Sequence, residues 1–297
     1  MIADLARILL DVVTPVAVCA SIGFVWARKK QPFDSQMVTR LVSNVGVPSL
    51  VFSTLVNVQV GGALFMEMAL AAVLTSVFFF AIGYVILKAT GLPVRTYLNP
   101  IALGNAGNMG LPLCLLAFGD EGLALGIAFF AVSVILMMTV GIAVASNEYR
   151  LMDIFKRPFL YALIFAGFFT FSGTEVPNVI LSTTKLLGNF TIPLMLITLG
   201  VSLATLQIVN IKHAVFISFC RIGIGMPVGV VAAMMFGFTG AAYGTLVLQC
   251  SMPVAVFTFL LAENFGADGR AVAGAVVIST LASFATMPAL LWFLMAG

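Results

Sequence analysis

The chain has 297 residues, of which 62% are apolar and 8% charged, whereas soluble domains carry about 25% Asp, Glu, Lys and Arg. A mean hydropathy of +1.16, sustained from end to end, excludes a soluble enzyme or nucleic-acid binder and leaves an all-α polytopic membrane protein. The net charge of +3 acquires meaning only from where the charges fall.

Ten spans are predicted in chain order. The first, about Leu5 to Ala27, is followed rather than preceded by Arg28, Lys29 and Lys30, the wrong flank for a cleaved signal, and Val18 does not suit a lipoprotein cleavage site before Cys19. Further spans are expected at Val38–Val58, Gly62–Leu87, Thr96–Phe118, Gly122–Ala145, Pro158–Gly173, Val179–Leu206, His213–Phe236, Ala241–Ala262 and Ala271–Leu294. Basic side chains resist translocation, so Lys and Arg gather in loops on the cytoplasmic side. Arg28 to Lys30, Lys88 with Arg95, Arg150 with Lys156 and Arg157, Lys212, and Arg270 occupy alternate loops, while Asp120, Glu121 and Glu175 lie in the others. Both termini are thereby expected outside, and a bacterial inner membrane is the expected location.

Local matches recur between the halves. Asn44-x-x-x-Pro48 returns as Asn189-x-x-x-Pro193 at an offset of 145 residues, and Phe118-Gly119-x-x-Gly122 as Phe265-Gly266-x-x-Gly269 at 147. Thr14-Pro15 aligns loosely with Arg157-Pro158, and Pro112 with Pro253. These predict two five-span units, residues 1–149 and 150–297. An odd number of spans forces the second unit to enter from the opposite face, giving an inverted repeat.

The fourth span holds Gly104, Asn105, Gly107, Asn108, Gly110 and Pro112 in close succession, and the ninth holds Gln249, Ser251 and Pro253. Gly costs roughly 1 kcal/mol and Pro about 3 in a helix interior, so both spans are expected to break. Broken backbone survives in a bilayer only where it lines a cavity or meets protein partners. Paired breaks in matching halves point to a transporter's central site, where helix N-terminal amides favour an anion.

Few ionisable groups fall at depth, and each is a functional candidate. Arg221, nine residues past Lys212, should sit about 13 Å along its helix, near the midplane; it can hold an anionic substrate or satisfy carbonyls freed by the breaks. Lys185 is expected to snorkel to the interface, Asp11 to pair with Arg7, and Glu67, Asp120, Glu121, Glu263 and Asp268 to be solvated at span ends. His213 beside Lys212 reads as an interfacial residue rather than a proton relay. Cys19, Cys114, Cys220 and Cys250 lack the spacing of a disulfide framework or a metal site and read as small buried residues. No catalytic constellation is evident, so the chain is not read as an enzyme, and no cofactor is expected; a coupling ion, sodium or proton, stays open.

Four stretches, Asn44-Val45-Gly46-Val47-Pro48, Gly104-Asn105-x-Gly107-Asn108-x-Gly110-Leu111-Pro112, Gln249-x-x-x-Pro253-x-x-Val256-Phe257 and Ile278-Ser279-Thr280-Leu281, resemble signatures of the auxin efflux carrier family, which includes plant PIN-type exporters and bacterial permeases assigned to malonate or malate. The similarity covers nearly the whole chain. It lacks the long central loop of many plant members, since only Ser146 to Arg157 separate the halves, which suits a compact prokaryotic member. The resemblance implies a fold similar to sodium-coupled bile acid carriers, with spans four and nine crossing near their prolines. It also implies a scaffold of spans one, two, six and seven, a transport unit from the rest, and a homodimer through the scaffold.

Together these readings predict a secondary transporter of small organic anions, mono- or dicarboxylates, working by elevator-like alternating access. Substrate contacts are expected from Asn105, Asn108, Gly110, Gln249 and Ser251, with breaks set by Pro112 and Pro253 and charge balance from Arg221. A sodium-coupled symporter of the bile-acid-carrier type and a membrane sensor that binds without translocating are the alternatives.

Overall fold

The computed structural model describes residues 9–57, 61–146, 155–172 and 174–296. Arg7 and Arg150, which the sequence reading uses for a pairing and for sidedness, lie outside them. Among the described residues the chain is helical, with one isolated β-bridge.

The helices are α1 (Thr14–Arg28), α2 (Ser35–Leu41), α3 (Val47–Asn57), α4 (Gly62–Thr90), α5 (Val94–Ala102), α6 (Leu111–Leu136), α7 (Ile142–Ser146), α8 (Pro158–Ser172), α9 (Asn178–Thr205), α10 (Ile211–Met235), α11 (Gly240–Cys250), α12 (Val256–Asn264) and α13 (Gly269–Ala296). Short π-helical turns, Leu9–Val13, Val42–Gly46, Ala106–Gly110 and Met137–Gly141, precede α1, α3, α6 and α7. Asp34 accepts from the Gln36 and Met37 amides at 3.0 Å to start α2, and Asn210 accepts from the His213 amide to start α10.

Among the described residues six stretches are long and apolar enough to cross a membrane: Asp11–Arg28, Gly62–Thr90, Ala106–Ser146, Asn178–Thr205, Ile211–Met235 and Gly269–Met295. The third has 41 residues, which as one straight rod would reach about 60 Å, twice a bilayer's core. It does not run straight. Gly119 adopts φ +65°, ψ −156° inside α6, and a Cβ on Gly126 would lie 3.3 Å from the Cys114 sulfur, twelve residues earlier. Asn99 Nδ2 likewise donates to the Gly141 carbonyl at 2.8 Å. These contacts require the chain to double back at Gly119, so Ala106–Ser146 is a hairpin of two limbs. Gly266, the matching glycine of the second half, has φ +70° and turns the chain between α12 and α13. The Phe-Gly-x-x-Gly repeat is therefore a turn signal, since a left-handed φ is cheap only for glycine.

Packing follows two groups of elements. α1 lies against α9 so closely that a Cβ on Gly23 or Gly200 would meet the Ile197 or Ala20 carbonyl, and α3 packs on both α8 and α9. Elsewhere α4 packs on α5 and α6, and α10 on α11 and α13. Arg95 joins three inter-helix turns at one end of the bundle, donating to the Ala145 and Phe265 carbonyls, while Tyr97 Oη meets His213 Nδ1 at 3.1 Å nearby. Lys88, Arg95, Lys212 and Arg270 are all exposed, as are Asp11, Glu67, Asp120, Glu121, Glu175, Lys185, Glu263 and Asp268.

Candidate functional site

The two interrupted helices meet at their gaps. α5 ends at Ala102, and Leu103 to Asn105 run extended before the π turn; α11 ends at Cys250, and the chain straightens through Pro253 to Ala255 before α12. The gaps pair antiparallel through a Gly104–Val254 bridge, with the Asn105 amide donating to the Pro253 carbonyl at 2.8 Å and the Ala255 amide to the Leu103 carbonyl at 3.1 Å. Each gap thus supplies the backbone partners that the other needs in a medium without water. Ser279 accepts from the Val254 amide at 3.1 Å and fixes the second gap to α13. Proline's missing N–H suits Pro253 to this linker, where the one amide it lacks would have had to be satisfied.

Pro112 plays a different part from the one its pairing with Pro253 suggests. It follows directly on the π turn, inside the helical run that begins at Ala106, and the chain breaks eight residues earlier at Gly104. The gap residues that face each other, Gly104 and Val254, stand 150 residues apart in sequence. Glycine is required at Gly104 by contact: an added Cβ would fall on the Arg221 guanidinium, 3.0 Å from Cζ.

Arg221 is buried at 1% exposure and is fully engaged with backbone. Nε donates to the Met252 carbonyl at 2.9 Å, Nη2 to Cys250 at 2.9 Å, and Nη1 to Ile101 and Ala102 at 3.2 and 3.3 Å. Phe79 covers one face, with the ring centroid 4.4 Å from Cζ. Of the two roles open from sequence, the geometry is that of satisfying carbonyls. The planar fork reaches the C-terminal ends of α5 and α11 together, where the helix dipoles are negative. No carboxylate among the described residues pairs with it, so the crossing holds one positive charge.

The polar side chains at the crossing are left unmet. Gln249 is fully buried, and neither its Oε1 nor its Nε2 has a hydrogen-bond partner; the same holds for Asn105 Nδ2 and Thr245 Oγ1. Such an unmet buried group costs about 1–3 kcal/mol. Gly110 lies against Gln249, where an added Cβ would meet Cδ at 2.9 Å and Nε2 at 3.1 Å. Asn108 is half-buried on the π turn. Ser251 is buried and turned back on its own helix, donating to the Val247 carbonyl at 2.7 Å. Asn105 at the start of the π turn and Ala255 at the start of α12 supply no side-chain cap, and the Ala106 amide donates to the Gly104 carbonyl at 2.8 Å instead.

Sequence reasoning missed Phe79, Asn99 and Thr245. Phe79 carries no signal among the phenylalanines of its span, and Asn99 and Thr245 were polar residues in apolar runs that went unweighed. Ser279 lay within a quoted motif without a role. His213 contacts Tyr97 and Asn210 at the bundle end, as an interfacial residue would. Cys114, Cys220 and Cys250 are buried and free, and Cys19 is half-buried. Among the described residues no cluster of His, Cys, Asp or Glu could hold a metal.

The model of a family described as membrane transport protein matches residues 8–153 and 142–293. An uncharacterized transporter of Methanocaldococcus jannaschii is 25% identical over 303 aligned positions, covering 95% of this chain and 97% of its own. An uncharacterized transporter of Methanothermobacter thermautotrophicus is 26% identical over 275, covering 87% and 88%. With apolar helices of membrane-spanning length, crossed gaps at the predicted spans and these matches over nearly its whole length, the chain belongs to the auxin efflux carrier family of membrane transport proteins.

Proposed function

We propose that the protein is a secondary transporter of small organic anions, mono- or dicarboxylates, that works by elevator-like alternating access. The observation that carries this reading is the crossing itself: a buried guanidinium without a carboxylate partner, beside unmet amide groups of Gln249 and Asn105. At an effective dielectric of about 20, one positive charge about 7 Å from a carboxylate favours it by roughly 2 kcal/mol. Arg221 acts here through its field, since its donors are spent on carbonyls. Asn105, Asn108, Gln249 and the N-terminal ends of the π turn and α12, which lack side-chain caps, are the proposed contacts; Gly110 gives the Gln249 carboxamide room, Pro112 lies in the first turn of α6 and Ser251 shapes the end of α11.

Ten passes in two inverted five-span units fit the elements. The Gly119 and Gly266 turns fall at matching places of the sequence repeat, and the residues paired by the 145-residue offset, Gly46 and Thr191, touch each other, which supports a local twofold axis beside them. The pairing of α1 with α9 is the counterpart of α8 with α3. A scaffold of α1, α2 with α3, α8 and α9, against a transport body of the rest, follows the same packing. Asn44 and Asn189 are exposed beside that axis near the middle of their spans, where a carboxamide facing lipid is costly; this favours a homodimer through the scaffold. The exposed basic side chains around the Arg95 end support a cytoplasmic placement of that end, with both termini outside.

Uptake of labelled malonate, malate and indole acetate into proteoliposomes, with and without sodium and proton gradients, tests the reading. Saturable flux of at least one anion is expected, and its gradient dependence names any coupling ion; specific binding without flux would make the protein a sensor instead.

A further inference from the structure

Thr245 and Gln249 stand one helical turn apart on the same face of α11. Both are fully buried, and Thr245 Oγ1 is unmet although helical threonines elsewhere in this chain bond back to the carbonyl four residues earlier, as Thr191, Thr198 and Thr280 do. The Cys114 sulfur on the facing limb of α6 borders the same gap at Gly126 as Gln249 Nε2. Glycine forms the remaining walls: a Cβ on Gly110 would press on the Gln249 carboxamide, and one on Gly126 would come within 3.3 Å of both Gln249 Nε2 and the Cys114 sulfur. The result is a closely packed slot beside the backbone crossing, in which two donor groups and an amide oxygen have no partners.

We infer that this slot is a second contact point of the anion site, with Thr245 as a specificity-determining residue that receives a second polar end of the transported molecule, a hydroxyl or a further carboxylate. The inference rests on the anion-carrier reading of the crossing. Two features select the occupant. The Arg221 guanidinium donates to the carbonyl of Cys250, the residue next to Gln249, and disfavours a cation. The amide N–H groups of Gln249 and the hydroxyl of Thr245, about 6 Å apart along the helix axis, are donors suited to oxygen atoms of a two-ended anion rather than to an apolar tail.

The test uses the full-length protein and two probes, malonate with two carboxylates and acetate with one, read by uptake into proteoliposomes and by the shift in melting temperature in detergent. Thr245→Val is isosteric and deletes a hydroxyl that bonds nothing, so the unliganded protein should melt no lower than wild type; a hydroxyl with a structural role would lower it. Malonate uptake should lose about tenfold in apparent affinity, the order of one lost hydrogen bond, with acetate uptake unchanged, and Thr245→Ser should restore malonate. Equal effects on both probes, or none, in a wild type that carries malonate would overturn the slot and leave the carrier standing. A malonate-dependent melting shift that Thr245→Val abolishes, without flux in wild type, would sustain the slot and sink the carrier. Neither flux nor shift in wild type would overturn both.

Discussion

Replacing Arg221 tests how the crossing is held. The side chain reaches four carbonyls, two from α5 and two from the α11 end of the second gap, at 2.9 to 3.3 Å. Hydrogen bonds to a charged group contribute about 1.5–3 kcal/mol each, and breaking a buried charged network by removing one partner costs about 3–5 kcal/mol once the relieved desolvation of the charge is counted. Arg221→Met fills a similar volume but leaves the four carbonyls without a donor, so a loss of about 3–5 kcal/mol is expected. For a chain of this size that lowers the melting midpoint by roughly 6–10 °C. Arg221→Lys keeps the charge but places three donors at one point, able to serve one helix end and not both, and should fall between. Scanning fluorimetry of the purified proteins in detergent, following the intrinsic fluorescence of Trp26 and Trp292, measures both. A methionine variant melting with wild type would refute the claim that the guanidinium ties the gaps. A lysine variant melting as wild type while methionine falls would show that charge suffices and the fork does not matter.

Gln249→Leu separates function from stability, because the carboxamide makes no hydrogen bond: the melting midpoint should hold or rise while anion uptake falls at least about tenfold, since a lost contact of about 1.4 kcal/mol is a factor of ten. Gly104→Ala places a methyl on the Arg221 guanidinium and should lower the melting midpoint about as far as Arg221→Met, since the side chain must give up part of its fork. Gly119→Ala and Gly266→Ala meet open space, so only the backbone conformation is penalised, by about 1–3 kcal/mol at Gly119, whose φ and ψ only glycine adopts readily, and about 1–2 kcal/mol at Gly266; the double variant should show the sum in the melting midpoint, and a neutral result would contradict the turn geometry.

The gaps were legible because their cause is local. Gly104, Asn105, Gly107 and Gly110 together weaken a helix wherever they fall, although Gly107 and Gly110 end in the π turn, and Pro253 announces its own break through the amide it lacks. The position of the first gap is harder to read, since Pro112 does not mark it: the proline follows a π turn that is already helical, and the break falls at Gly104 beside Arg221. Arg221 itself stood out as a charge at depth, yet its partners are carbonyls, which every residue carries and no pattern marks. Thr245 illustrates the opposite limit. A lone threonine in an apolar helix usually bonds to its own backbone, and that the Thr245 hydroxyl does not is visible only in the folded chain.

The proposed division into scaffold and moving body can be tested where Gly46 and Thr191, paired by the 145-residue offset, touch. A Cβ built on Gly46 would lie 3.3 Å from the Thr191 Cβ, a few tenths short of the roughly 3.5–4.5 Å that disulfides span. The pair Gly46→Cys and Thr191→Cys should therefore oxidise readily, joining the second span to α9 through the turn that precedes α3. If both elements belong to one scaffold, their relative placement is constant through the cycle, and the cross-linked protein should carry anion at close to the rate of the reduced one. An elevator moves its binding elements as a body, so the bond would restrain nothing that moves. If oxidation stops uptake and reductant restores it, α3 and α9 must shift against each other during transport. The scaffold would then have to be drawn between the two halves of the repeat instead of across them, with the local twofold axis at Gly46 and Thr191 serving as a hinge.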